Sequence, residues 1–114
     1  MNRKEEFHVI TTSSYNKQYQ YFTEIFNDID SALEYAKPYC LKPMQFDTRS
    51  EFEPSVAIEV REVLEDDDGD VIEETFIEHI NPFEELGLSK EDILAKANKE
   101  AREEREFWEA EAQR

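Results

Sequence analysis

The sequence predicts an α+β protein in which a four-stranded antiparallel sheet and helices follow one another in the order ββαββα. Two pairs of apolar segments have the composition of β-hairpins, and each pair precedes a segment whose apolar residues recur at helical spacing. The length of 114 residues and the hydrophobic content of 39% fit one acidic domain, residues 1–114, with a single core and a long C-terminal helix.

The first half of the chain predicts a hairpin followed by a short helix. Residues 7–12 are apolar and β-branched, and the aromatic-rich residues 19–26 follow after a polar stretch that suits a turn. Asn27 or Asp28 can cap the helix, and Pro38 should limit how far it runs. Two further prolines interrupt residues 41–54, which predicts a connecting loop.

A second hairpin is predicted from residue 56 onwards. Val56, Ile58 and Val60 alternate with other residues as in a half-buried strand, and residues 71–80 have the composition of a fourth strand. The sequence Asp-Asp-Asp-Gly-Asp at residues 66–70 is typical of a hairpin turn between them.

A long C-terminal helix completes the predicted fold. Residues 81–88 contain a proline and a glycine, which predicts a turn or a short 3₁₀ segment. Ser89 and Asp92 have capping-box spacing, so the helix should begin at Ser89 and end at about residue 112. Phe107 and Trp108 are the only large apolar side chains of its second half, so the far end of the helix is expected to fray unless these two residues pack.

The net charge of -16 is concentrated in the middle of the chain. Residues 1–50 carry a net charge of -1, residues 51–80 carry -11, and residues 81–114 carry -4. A field of this size repels nucleic acids and anionic membranes and attracts cationic proteins, so the expected partner is a basic protein. The acids of the middle segment, set against the single base Arg61, are Glu51, Glu53, Glu59, Glu62, Glu65, Asp66, Asp67, Asp68, Asp70, Glu73, Glu74 and Glu78.

Metal and cofactor sites are not predicted. If Gly69 took the sixth position of an EF-hand loop, Leu64 and Thr75 would fall at the first and twelfth positions, where carboxylates are required. His8 and His79 have no cysteine or second histidine at ligand spacing, so both are interpreted as structural. We therefore expect a solvated turn, no metal ligand and no cofactor.

Catalytic motifs are also missing from the sequence. With only two glycines there is no phosphate-binding loop and no nucleophile elbow, and the hydroxyl side chains show no recognisable partner arrangement. The chain is therefore not expected to be an enzyme. The polar start and the single Cys40 predict a cytoplasmic protein in a reducing compartment.

The strand glutamates can imitate a row of phosphates. Same-face neighbours on a strand are about 6.7 Å apart, and phosphates repeat every 3.4 Å of duplex axis along a wound path. The expected binding surface is the hairpin, with the acids of the C-terminal helix as a flank. Beyond the twelve acids of residues 51–80, it includes Glu103, Glu104, Glu106 and Glu109.

In size, acidity and element order the chain resembles the bacterial and phage DNA-mimic proteins. It is most similar to the small monomeric bacterial kind that binds the histone-like protein HU. The resemblance implies a cytoplasmic monomer that occupies the DNA-binding face of a basic nucleoid protein and competes with DNA. The alternative is an inhibitor or immunity-type partner of one basic enzyme, such as a nuclease, with Phe107 and Trp108 as apolar anchors.

Overall fold

The computed structural model of the chain describes residues 1–112. It confirms the predicted class, an α+β fold with a four-stranded antiparallel sheet. In chain order the elements are β1 (Asn2–Tyr15), β2 (Gln18–Phe26), α1 (Ile29–Cys40), β3 (Met44–Gln45), β4 (Phe52–Glu53), β5 (Val56–Glu65), β6 (Val71–Ile80), α2 (Pro82–Glu85) and α3 (Lys90–Ala112).

The predicted order ββαββα is incomplete, because both predicted connections contain short elements. β3 and β4 pair with each other as a separate two-stranded sheet where the sequence predicts a loop. Pro43 and Pro54 lie just outside the paired residues. The backbone N–H that each proline lacks is therefore not needed for the pairing of β3 with β4. The predicted turn after β6 contains α2, a single helical turn capped by Asn81.

The main sheet has the strand order β2-β1-β5-β6, and all neighbouring strands are antiparallel. β1 and β5 are therefore central, and β2 and β6 form the edges. Val9 lies opposite Ile58 and Phe7 lies opposite Val60, so both central strands direct their apolar side chains to the same face.

Helices cover that face and enclose the core. Ala32 and Ala36 of α1 are fully buried, and their small side chains let the helix approach the central strands closely. The lone Cys40 is a buried free thiol, and burial raises its pKa. The buried cluster consists of Phe7, Val9, Ala32, Ala36, Cys40, Val56, Ile58, Val60 and Phe83.

Side-chain caps fix where α1 and α3 begin. The carboxylate of Asp28 accepts a hydrogen bond from the backbone N–H of Ser31 at 2.8 Å, which lowers the pKa of Asp28. Ser89 accepts from the N–H of Asp92 at 3.2 Å, as its spacing predicts. Pro38 lies within α1, which continues for two residues beyond it and ends at Cys40. Proline has no backbone N–H, so the carbonyl four residues before Pro38 loses its helical hydrogen bond. Pro38 is exposed, so water can donate a hydrogen bond to that carbonyl instead.

The first half of α3 contacts the rest of the fold, with Ile93 partly buried against the core and Asn98 accepting a hydrogen bond from the backbone N–H of Phe52 at 2.8 Å, whereas its second half extends away. None of its described residues is buried, and Phe107 and Trp108 remain 58% and 62% exposed. These two side chains, on which anchoring of the helix end was expected to depend, do not pack into the core; their rings contact each other, with centroids 5.6 Å apart. The molecule is elongated, with a radius of gyration of 18.6 Å, where a compact 100-residue domain has about 13 Å.

Candidate protein-binding surface

The sheet extends beyond its helical cover at one end. Phe7 and Val60 form the last core pair along the central strands, and past them β1, β5 and β6 continue to the turn at residues 66–70. We call this end the acidic ribbon. It comprises residues 2–6, 61–65 and 71–76 together with the turn, and it holds eight of the sixteen predicted binding residues, with Glu59 and Glu78 at its base.

The ribbon carries carboxylates on both faces. Glu59 lies opposite His8 on the face turned away from α1 and α2, here called the open face, whereas Glu62 lies opposite Glu5 on the helix-side face. The strand glutamates that are expected to imitate phosphates are divided between the two faces, because alternate side chains of a strand point to opposite faces. Glu59, Glu65 and Glu74 lie on the open face, and Glu62, Glu73 and Glu78 lie on the helix-side face.

Two basic side chains partly neutralise the open face. Lys4 Nζ lies 2.7 Å from Glu65 Oε1, and the guanidinium of Arg61 lies 2.9 Å from Glu59 and 3.5 Å from Glu74. These contacts raise the pKa values of Lys4 and Arg61, chiefly through the hydrogen bonds to Glu65 and Glu59 respectively. The charge offered to a partner here is therefore smaller than the count of acids.

Val63 lies beneath this charged layer. It is opposite Lys4 on β1 and Glu74 on β6, and it is almost completely buried although it stands outside the core cluster. Long charged side chains can cover an apolar neighbour with their methylene groups while their charged ends stay in water. The charged side chains of the open face therefore pack over a buried apolar residue.

Several other acids of the hairpin are not paired with a base in the described part of the chain. Among residues 1–112, Asp68, Asp70, Glu73 and Glu78 form no ion pair within 4.0 Å, whereas Glu62 has Arg3 at 3.3 Å. Arg3 and Lys4 are themselves matched by two acids at positions 5 and 6, so this part of β1 adds no net side-chain charge. The ribbon remains strongly negative.

The turn at residues 66–70 is held by one of its own acids. Asp66 accepts hydrogen bonds from the N–H groups of Asp68 and Asp70, both at 2.9 Å, and Gly69 adopts a φ of +85° that favours glycine. Asp66, predicted as a binding residue, therefore has a structural role in the turn. Asp67, Asp68 and Asp70 are exposed at the tip.

The two predicted acids of the β3–β4 region lie elsewhere. Glu53 accepts a hydrogen bond from the hydroxyl of Tyr19 at 2.7 Å, which raises the pKa of Tyr19. Glu51 and Glu53 precede Val56, and Val56 begins β5 at the end opposite Glu65. At about 3.3 Å per residue, the length of β5 separates them from the tip of the ribbon.

The acids of α3 form a third, separate group. α3 follows the end of β6 that is remote from the turn, and its second half borders a cavity of about 310 Å³ beside the β3–β4 hairpin. Basic residues at positions 102 and 105 are interspersed among these acids, so the helix surface is mixed in charge. Glu103, Glu104, Glu106 and Glu109 are all exposed there.

Sequence reasoning missed the contribution of the first strand. β1 begins at Asn2 rather than near Phe7, and it places Glu5 and Glu6 beside the predicted acids of the hairpin. The apolar pattern begins only at Phe7, so no hydrophobic signal marks the earlier residues as a strand. The two bases and two acids at residues 3–6 can be assigned to the charged hairpin only once the pairing of β1 with β5 is known.

Among residues 1–112, no helix combines the length and the apolar character needed to cross a bilayer. Comparison with protein-family models, with curated proteins and with solved structures finds no match to the chain.

Proposed function

We propose that the acidic ribbon binds the DNA-binding face of a basic DNA-binding protein, such as a histone-like HU protein, and competes there with DNA. The observation that carries this proposal is the placement of carboxylates on both faces of the ribbon and at its tip. A protein that encloses a duplex contacts phosphates on several sides of it. A ribbon with carboxylates on both faces likewise presents negative charge on more than one side.

The spacing of these acids supports the comparison with DNA. Same-face neighbours along a strand are about 6.7 Å apart, and adjacent strands are about 4.8 Å apart. The part of β6 that belongs to the ribbon, residues 71–76, extends roughly 20 Å at about 3.3 Å per residue, which is more than half a turn of duplex. Lysines and arginines spaced to neutralise phosphates can therefore reach several carboxylates of the ribbon at once.

Many weak contacts, rather than one strong contact, would give this complex its affinity. A single exposed ion pair is worth about 0 to 1 kcal/mol, so binding depends on the sum over the ribbon. Such an association is steered by long-range charge and is weakened by salt, because the screening length falls from about 10 Å at 0.1 M salt to about 3 Å at 1 M.

Affinity capture from a cell lysate tests this proposal. With the full chain immobilised at low salt, we expect to recover a basic DNA-binding protein, identified by mass spectrometry, and to lose it when competing duplex DNA or high salt is added. Recovery of a partner that duplex DNA does not displace would contradict competition for the DNA-binding face. Recovery of no DNA-binding protein at low salt would contradict the proposal as a whole.

A second candidate function rests on the exposed aromatic pair of α3. Phe107 and Trp108 are more than half exposed, and aromatic side chains of this kind are typical anchors in the centre of protein interfaces. They support an inhibitor or immunity-type protein that blocks one basic enzyme, such as a nuclease. Loss of partner capture by Trp108→Ala, with capture retained by variants of the ribbon, would favour this candidate over the DNA mimic.

A further inference from the structure

We propose that Glu6, His8 and Glu74 form a binding site for a divalent first-row transition-metal ion on the open face of the sheet. One ligand atom from each residue lies within 4.8 Å of the other two. Glu6 and His8 come from β1 and Glu74 comes from β6, so the three residues meet only because β5 holds both strands in register.

The distances suit coordination of one ion. His8 Nε2 lies 3.2 Å from Glu6 Oε1 and 3.6 Å from Glu74 Oε1. Imidazole nitrogen and carboxylate oxygen bind Zn²⁺ at about 2.0 to 2.2 Å, which places neighbouring ligand atoms about 3 to 3.5 Å apart. The three side chains therefore need only small movements to bind a common ion.

The histidine is held firmly at the base of the site. His8 is only 9% exposed, and it stands on a central strand with Ile25 of β2 and Glu59 of β5 opposite it. Glu6 lies two residues before it on the same face of β1, and its side chain is also mostly covered. Glu74 is more exposed, which leaves the outer coordination positions open to water.

No basic side chain within residues 1–112 forms ion pairs with all three residues of the cluster. Ionised carboxylates only accept hydrogen bonds, and His8 Nε2 carries at most one proton to share between Glu6 and Glu74. Arg61 lies 3.5 Å from the same Glu74 oxygen, but its shorter contact is to Glu59 at 2.9 Å. A divalent ion would bind all three ligand atoms together.

A second nearby cation does not occupy the site. Lys4 approaches the other oxygen of Glu6, Oε2, at 3.8 Å, and its shorter contact is to Glu65 at 2.7 Å. Lys4 thus leaves Glu6 Oε1 directed at His8, and the ion pair with its other oxygen helps to orient the carboxylate.

The ligand set indicates the kind of metal. Imidazole suits zinc, iron, nickel and copper, whereas carboxylate also suits manganese, so one imidazole with two carboxylates favours a first-row divalent ion over calcium or magnesium. The net charge of -16 raises the local concentration of any cation, which assists binding but does not select the site.

Titration of the full chain with Zn²⁺ by calorimetry, at moderate salt, tests this site. We expect one saturable ion per chain, a loss of affinity of at least tenfold in Glu74→Gln, and no change in the matched control Asp68→Asn. Each variant removes one exposed carboxylate, so equal losses in both would show diffuse attraction to acidic residues and would overturn the proposal. Lack of saturable binding would overturn it as well.

The two histidines of the chain provide a readout that needs no variant. In imidazole ¹H–¹⁵N spectra, Zn²⁺ is expected to shift the resonances of His8 at one equivalent, while those of His79 stay in place. Unchanged His8 resonances, or equal shifts of both rings, would contradict the site even if Glu74→Gln failed to fold. The result is independent of whether the acidic ribbon binds a DNA-binding protein.

Discussion

Replacing Asp67, Asp68, Asp70 and Glu73 together by lysine is expected to weaken partner binding at least tenfold, mainly by slowing association. The change reverses four charges on the tip and one face of the acidic ribbon, and electrostatic steering changes association rates by about 10- to 1000-fold. Asp66 is left in place because it accepts the hydrogen bonds that hold the turn. Association rates measured at several salt concentrations should also show a flatter salt dependence.

A matched variant of α3 provides the control for this experiment. Replacing Glu103, Glu104, Glu106 and Glu109 by lysine changes the net charge by the same amount on a surface that already contains arginines. We expect the ribbon variant to lose more affinity than the helix variant. A loss confined to the helix variant would mean that α3, rather than the ribbon, is the binding surface.

Ile58→Ala is expected to lower the free energy of unfolding by about 2 to 5 kcal/mol, as is typical when a large core side chain is truncated. Ile58 is completely buried on a central strand, where it lies opposite Val9 on β1 and Ile80 on β6. The substitution leaves a cavity that the paired strands cannot close. Chemical denaturation followed by circular dichroism measures the loss.

The control for the core substitution is Ile72→Ala, which removes the same atoms from a side chain that is 55% exposed on the edge strand β6. Its effect on the free energy of unfolding should be much smaller, because little apolar surface returns to water. Similar losses in both variants would contradict the placement of the core under α1.

The main elements of the fold were predictable because local patterns determine them. Val56, Ile58 and Val60 alternate along a strand whose other face is charged, and Asp28 and Ser89 are strong helix caps whose hydrogen bonds the structure confirms. The anchoring of α3 was not predictable in the same way. Whether Phe107 and Trp108 pack against the core depends on the direction in which α3 leaves the sheet. No local sequence pattern predicts that direction.

The candidate sites depend on contacts between residues that are distant in sequence. The acidity of residues 51–80 is visible in the sequence, but the division of its acids between two faces follows from strand register. Glu74 lies 66 positions after His8, so no ligand spacing could indicate that they meet. Likewise, Lys4 and Arg3 neutralise part of the hairpin only because β1 extends to Asn2.

Competition with DNA is the central claim, and a displacement titration tests it most directly. The protein is added at low salt to a histone-like HU protein bound to a fluorescently labelled duplex, and the fluorescence anisotropy of the duplex is followed. We predict that the anisotropy falls to the value of free duplex, and that the ribbon variant with four lysines requires at least tenfold more protein. Anisotropy that stays at the bound value, or displacement that is equal for both proteins, would contradict DNA mimicry by the acidic ribbon.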